Sequence, residues 1–201
     1  MARLQQVSGA AQTTLLLLLG ILLTGLLLLG WSFDGGVRLF GLGLAGLAAW
    51  LGSHDIARRT VKQTGLTRFI AICLLTGYVW LGISGLSAMW FGGVPVGPRY
   101  DATLHAFFLG FVFAMIFAHA PIIFPAVLGA RMTYRPLFYA HVLLLQGTLV
   151  ARVIGDVGGW GAGRQVGGLL NAVTLLLFLV NTVSALRNPP DRAGAAQSRA
   201  S

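Results

Sequence analysis

Charged residues are scarce in this chain. Only 9% of its 201 residues are charged, whereas 56% are apolar, and a soluble domain usually carries roughly 25% charged residues. So few charges cannot cover a globular surface that faces water. The composition therefore argues against a soluble globular protein and indicates one that is solvated by lipid.

Acidic residues and cysteine are also rare. The five acidic residues are all aspartates, and Cys73 is the single cysteine. One cysteine can form no internal disulfide and supplies no Cys pair for a zinc or iron–sulfur site. The sequence also contains no nucleotide-binding loop and no Ser-His-Asp order, which argues against a kinase or a hydrolase. We assign no catalytic residue, and whether the protein is an enzyme stays open.

Basic residues are more common, with 14 lysines and arginines. They lie between apolar runs and do not form a patch on a soluble face, so we expect no nucleic-acid partner. Attraction to an anionic membrane surface explains them more simply.

Long apolar runs dominate what remains. A helix needs about 20 apolar residues to cross the hydrocarbon, and backbone groups in lipid must be satisfied within the segment. The sequence predicts an all-α polytopic transmembrane bundle over residues 1–186, with a disordered cytoplasmic tail over 187–201. Its six predicted spans are about 13–31, 37–54, 66–90, 102–128, 136–155 and 165–186.

The distribution of arginine and lysine predicts the orientation of these spans. Four of the 14 basic residues fall on one side, namely Arg38, Arg99, Arg152 and Arg164, and the other ten fall on the opposite side. Cytoplasmic loops carry the excess of positive charge, so both termini are expected in the cytoplasm of a bacterial inner-membrane protein.

Three of the four histidines lie inside predicted spans, where an ionisable side chain is a functional hypothesis. His105 and His119 share the fourth span and are 14 residues apart. In an α-helix this spacing is about 40° short of four full turns and about 21 Å long. The two rings should therefore face nearly the same way at two different levels of the membrane.

His119 and His141 are expected at one level. Each lies about 6 Å to the cytoplasmic side of its span's midpoint, and a short loop should make the two spans antiparallel neighbours. Neutral imidazoles at equal depth can bind one haem iron axially or share one copper ion. Alternatively, the pair joins two helices through hydrogen bonds or relays protons.

Haem b is favoured over copper by the surroundings of this pair. The fourth span is rich in phenylalanine, which suits a large apolar macrocycle, although such residues also form ordinary cores. Arg131 and Arg135 lie at the cytoplasmic edge of the same hairpin, where haem propionates would meet them. The positive-inside rule explains both arginines equally well.

A second polar level is predicted near the outer surface. His105 is a third candidate metal ligand, with Asp101 one turn before it as a hydrogen-bond partner or as a helix cap. Arg152 and Asp156 are four residues apart near the outer end of the fifth span and are expected to pair there.

Two segments resemble known haem proteins. The spacing of His105 and His119 is similar to that in the haem-bearing helices of cytochrome b subunits of quinol-oxidising complexes. LHAFFLGFVFAMIFAH, from Leu104 to His119, and ARVIGDVGGWGAGR, from Ala151 to Arg164, resemble segments of the NnrS family of bacterial membrane proteins. A more distant likeness links the chain to subunit I of haem-copper oxidases.

The resemblance to the NnrS family implies haem and copper binding and a link to nitric oxide. Asp156 stands about where that family has a histidine. The first hypothesis is therefore a haem b protein in electron transfer or nitric-oxide and respiratory metabolism, with a respiratory redox partner. The second is a non-redox small permease, or an assembly partner of a respiratory complex, with structural histidines.

Overall fold

The apolar runs of the sequence form a bundle of membrane helices in a computed structural model, which describes residues 8–129 and 132–187. Six helices in these ranges are long and apolar enough to cross a bilayer, and the same ranges contain no strand. The predicted all-α polytopic bundle is confirmed, and the protein is a multi-pass membrane protein.

The helix bounds lie within a few residues of the predicted spans. The elements are α1 (Gly9–Leu28), α2 (Phe33–His54), α3 (Ala57–Thr60), α4 (Gly65–Phe91), α5 (Pro98–His105), a π-helical segment (Ala106–Val112), α6 (Phe113–Leu128), α7 (Phe138–Gly158) and α8 (Gly161–Arg187). α5, the π-helical segment and α6 together form one span. The predicted disordered tail lies outside the described residues from 188 onward.

Six spans bring both ends of the described chain to one side of the bundle. We call this the terminal side, and it also holds residues 55–64 and the loop between α6 and α7. The opposite side is the tryptophan side, because Trp31, Trp90 and Trp160 lie there and are largely exposed. Such rings are typical of a membrane–water interface. The cytoplasmic location of the terminal side stays a prediction.

Two pairs of consecutive helices pack closely in the bundle, α1 with α2 and α7 with α8. α2 packs closely along α4 because glycines meet there: a Cβ atom added to Gly41 would lie 2.7 Å from the carbonyl oxygen of Gly85. Small residues permit this backbone approach in membranes. α1 packs mainly against α2 and exposes most of its leucines, as expected of a peripheral helix.

α7 packs mainly against α8, and the seam between them is polar. Thr148 donates a hydrogen bond to Asn171 at 2.7 Å, and both side chains are buried. Hydrogen bonds of this kind hold membrane helices together. The fourth and fifth spans are neighbours, as predicted: α5 and the π-helical segment pack against α7, whereas α6 and α7 meet mainly through large side chains such as Phe117 and Phe138.

Candidate binding site

The structure places His119 and His141 at similar depths but in different surroundings. By helical rise, each lies about 9–11 Å from the midpoint of its span toward the terminal side. His141 is 2% exposed within the bundle, whereas His119 lies on the exposed face of α6. The α6 residue that contacts His141 is Phe117, with ring centroids 4.7 Å apart. Two residues correspond to about 200° of helix rotation, so His119 points away.

His141 lies in an aromatic cage. The rings of Phe69, Phe117, Phe138 and Phe178 lie 4.7–6.2 Å from its own. Its Nδ1 atom accepts a long hydrogen bond of 3.4 Å from the side-chain amide of Asn181 on α8. The neutral ring therefore carries its proton on Nε2, which has no hydrogen-bond partner among the described residues. Metal binding at Nε2 would require this proton to leave.

His105 and His119 have the opposite tautomer. The Nδ1 atom of His105 lies 2.6 Å from the carbonyl oxygen of Asp101, and that of His119 lies 2.7 Å from the carbonyl oxygen of Met115. A carbonyl oxygen only accepts, so Nδ1 donates and the lone pair of each neutral ring is on Nε2. This tautomer can bind a metal through Nε2.

The π-helical segment lies between these two histidines. Its wider i→i+5 rings turn the chain less per residue than an α-helix does. The rotation expected from α-helical spacing therefore does not describe His105 and His119, of which the first is half-buried and the second exposed. Phenylalanine-rich composition carries no signal for a π-helix, so the sequence alone could not reveal this change.

A bis-histidine haem needs two rings that face each other across an apolar slot. His119 and His141 do not face each other, and aromatic side chains fill the space beside His141. The residues as arranged do not fit a haem at this pair. In the described ranges, no group of three or more His, Cys, Asp or Glu side chains is placed to hold a metal ion. Arg135 is half-buried in the loop before α7, and Arg131 lies outside the described residues.

An ion-pair network joins α5, α7 and α8 at the tryptophan side. Asp156 has a fully buried side chain, 3.2 Å from Arg152 Nε and 2.6 Å from Arg164 Nε. The contact between Arg164 and Asp156 is an ion pair, and its geometry is not that of a hydrogen bond. Arg164 also lies 3.3 Å from Asp101 Oδ2. The predicted pair of Arg152 and Asp156 is present, while the Asp101 carboxylate binds Arg164 and only its backbone carbonyl meets His105.

An apolar cavity lies elsewhere, in the half of the bundle nearest the tryptophan side. This cavity of about 390 Å³ lies between the α1–α2 hairpin on one side and α5 with the π-helical segment on the other. Residues of α4 also line it. α2 and α5 both pack against α4 but have little contact with each other, which leaves this gap. Its lining residues are Leu26, Leu29, Phe33, Val37, Phe40, Leu44, Ser84, Ala88, Phe91, Gly92, Val94, Arg99, Tyr100, Thr103, Leu104, Phe107 and Phe108.

The cavity is long and opens toward lipid. Phe33 and Leu44 line its two ends on α2, and eleven residues of helix correspond to about 16 Å, roughly half of the ~30 Å hydrocarbon layer. Leu26 and Phe108 at its edges are 54% and 51% exposed. Its lining within the described ranges includes no histidine, so it presents no axial ligand to a haem. Pockets of a few hundred cubic ångströms with few polar groups commonly hold small apolar ligands.

Comparison with known proteins gives a family but no activity. The model of one protein family matches residues 1–187. The chain belongs to this family, the domain of unknown function DUF8744. No curated protein and no solved structure matches the chain.

The sequence of this DUF8744 member does not reveal the cavity. Leucine, valine and phenylalanine line it, and the same residues form ordinary lipid-facing and core positions throughout the spans. Arg99 is one of four arginines on the side where the positive-inside rule expects few, and the sequence does not distinguish it from the other three.

Proposed function

We propose that this protein binds an amphiphilic molecule of the bilayer in the cavity between the α1–α2 hairpin and α5. The observation that carries the proposal is the cavity itself, which is apolar along its length and open toward lipid. We place the protein in the bacterial inner membrane with the tryptophan side outward, so the ligand belongs to the outer leaflet. This binding role involves no redox step, and it differs from the permease and assembly-partner roles of the second hypothesis from the sequence.

The polar groups of the cavity support an amphiphile over a purely apolar molecule. Most of the wall is hydrocarbon, while Arg99 and Tyr100 line the end near the tryptophan side. Deeper in the wall, the Ser84 hydroxyl donates to the carbonyl oxygen of Thr103 at 3.1 Å and is therefore already satisfied. A ligand with a hydrocarbon tail and one polar head matches this division.

Filling the cavity tests the proposal. Leu104 lies in the wall on α5, and Leu104→Trp should occupy the space and reduce the amount of bound amphiphile at least several-fold. Leu143→Trp is the matched control, because Leu143 is 69% exposed on α7. Native mass spectrometry of each protein with added phosphatidylglycerol measures the bound fraction. Equal binding by the wild type and Leu104→Trp would contradict the proposal.

Haem b binding is a second candidate, with electron transfer or nitric-oxide handling as its role. Its specific support is the tautomer of His105 and His119, which leaves Nε2 free to bind a metal. An absorption spectrum of the purified protein tests it. A Soret band that shifts on reduction with dithionite supports haem, and a colourless protein without iron or copper refutes it.

A further inference from the structure

We infer that the head group of the bound amphiphile is anionic and that Arg99 binds it. This inference rests on the proposed function, because it concerns the polar end of the same cavity. The arrangement of the four arginines on the tryptophan side carries it.

Three of these arginines already have carboxylate partners. Arg38 Nε lies 2.8 Å from Asp34 Oδ2, and Arg152 and Arg164 lie 3.2 and 2.6 Å from Asp156. With Asp101, which lies 3.3 Å from Arg164, three carboxylates neutralise these three cations.

Arg99 differs from the other three. In the part of the chain that the structure describes, no carboxylate lies within 4.0 Å of its guanidinium group. The group lies 5.5 Å from the centre of the Phe91 ring. Such stacking orients a guanidinium while leaving its N–H donors free. Arg99 thus presents an oriented and unpaired positive charge.

The position of Arg99 connects this charge to the cavity. Arg99 and Phe91 both line it, at the end near the tryptophan side. Arg99 is the second residue of α5, which begins at Pro98, so the partial positive charge of the helix N-terminus adds to its own. A ligand whose tail fills the cavity would place its head group at this position.

A phosphate or carboxylate head fits these donors best. The planar guanidinium forms paired hydrogen bonds with such groups. An anionic lipid head and a free phosphate ion share this chemistry, and the hydrocarbon wall favours the lipid.

Three ligands with the same acyl chains and different heads test the inference. Phosphatidylglycerol is anionic, phosphatidylcholine is zwitterionic and diacylglycerol is uncharged. We expect the wild type to prefer phosphatidylglycerol over diacylglycerol roughly 10-fold, as one charge-assisted hydrogen bond to the phosphate would give, and to prefer it less strongly over phosphatidylcholine, whose phosphate lies beside a quaternary ammonium. Arg99→Gln should lose this preference and still bind diacylglycerol. Native mass spectrometry of competing pairs provides the measurement.

Two variants act as controls. Arg99→Lys keeps the charge and should keep part of the preference for phosphatidylglycerol. Arg58→Gln removes an exposed charge from the terminal side and should change nothing. Because Arg99 is itself exposed, Arg99→Gln should fold like the wild type, which the melting temperature in detergent checks.

Each outcome bears on a different statement. Equal binding of the three ligands by the wild type, or an unchanged preference in Arg99→Gln, overturns the anionic head and leaves the binding cavity standing. Binding of none of the three ligands overturns the proposed function itself. Removal of the preference by millimolar inorganic phosphate, with diacylglycerol still bound, identifies a free anion as the source and overturns the lipid head.

Discussion

The ring of Phe117 lies 4.7 Å from the ring of His141 and occupies the side of α6 on which a second haem ligand would be needed. His119, two residues further along α6, therefore faces outward. Of the two histidines expected to be axial ligands, His141 is therefore buried and His119 is exposed. His141 is packed among aromatic rings and contacts Asn181 of α8.

Replacement of these two histidines should give unequal effects on stability. His141→Gln should lower the free energy of unfolding by roughly 0.6–2 kcal/mol, the range for one hydrogen bond between membrane helices. His119→Gln should change it little, because His119 bonds only to its own helix among the described residues. Unfolding in detergent with increasing denaturant measures both. If the wild type has a haem spectrum and both variants lose it, the two histidines are axial ligands after all.

The close approach of α2 and α4 should be sensitive to one methyl group. A Cβ atom at Gly85 would lie 2.5 Å from the backbone nitrogen of Ala45, with no flexible side chain to move aside. Gly85→Ala should therefore cost about 1–3 kcal/mol, as overpacking does in a tight core. Gly52→Ala is the control, since a Cβ there meets nothing within 4 Å. Equal stability of the two variants would show that α2 and α4 are further apart.

The buried carboxylate of Asp156 should matter more than the exposed carboxylate of Asp34. Asp156→Asn leaves Arg152 and Arg164 without their shared counter-charge, which costs about 3–5 kcal/mol when such a pair is buried. We expect the lower end, because the two arginine side chains are 17% and 35% exposed. Thermal unfolding in detergent supplies the measurement.

Asp34→Asn provides the comparison for that experiment. Its pair with Arg38 is largely exposed, with side chains 60% and 47% accessible. Solvent screens such an exposed pair, so Asp34→Asn should lower the melting temperature far less than Asp156→Asn does. A loss of stability as large as that of Asp156→Asn would mean that exposure does not separate the two pairs.

Reporter fusions should locate the two sides of the bundle. Fusions within residues 55–64 and at the C-terminus should report a cytoplasmic location, and fusions within 92–97 a location across the membrane. The reason is the excess of arginine and lysine on the terminal side. A C-terminus found outside the cytoplasm would reverse the orientation and place the cavity in the inner leaflet.

Depth in the membrane was predictable, whereas the direction of each side chain was not. Counting residues along the spans placed His119 and His141 at similar levels, since rise per residue is nearly constant in a helix. Direction depends on rotation, and the π-helical segment before α6 changes the rotation accumulated along that span. The pairing of helices also follows only from the tertiary structure, because α7 packs along α8 and meets the fourth span through α5 and the π-helical segment.

The sequence by itself determined the six-span helical bundle and the polar pair of Arg152 and Asp156. Both follow from local properties, namely the length of an apolar run and a spacing of four residues on one helix. The cavity, the aromatic cage of His141 and the unpaired charge of Arg99 were decided by tertiary structure. They depend on which helices approach α4 and which leave a gap, and leucine and phenylalanine satisfy either arrangement equally well in lipid.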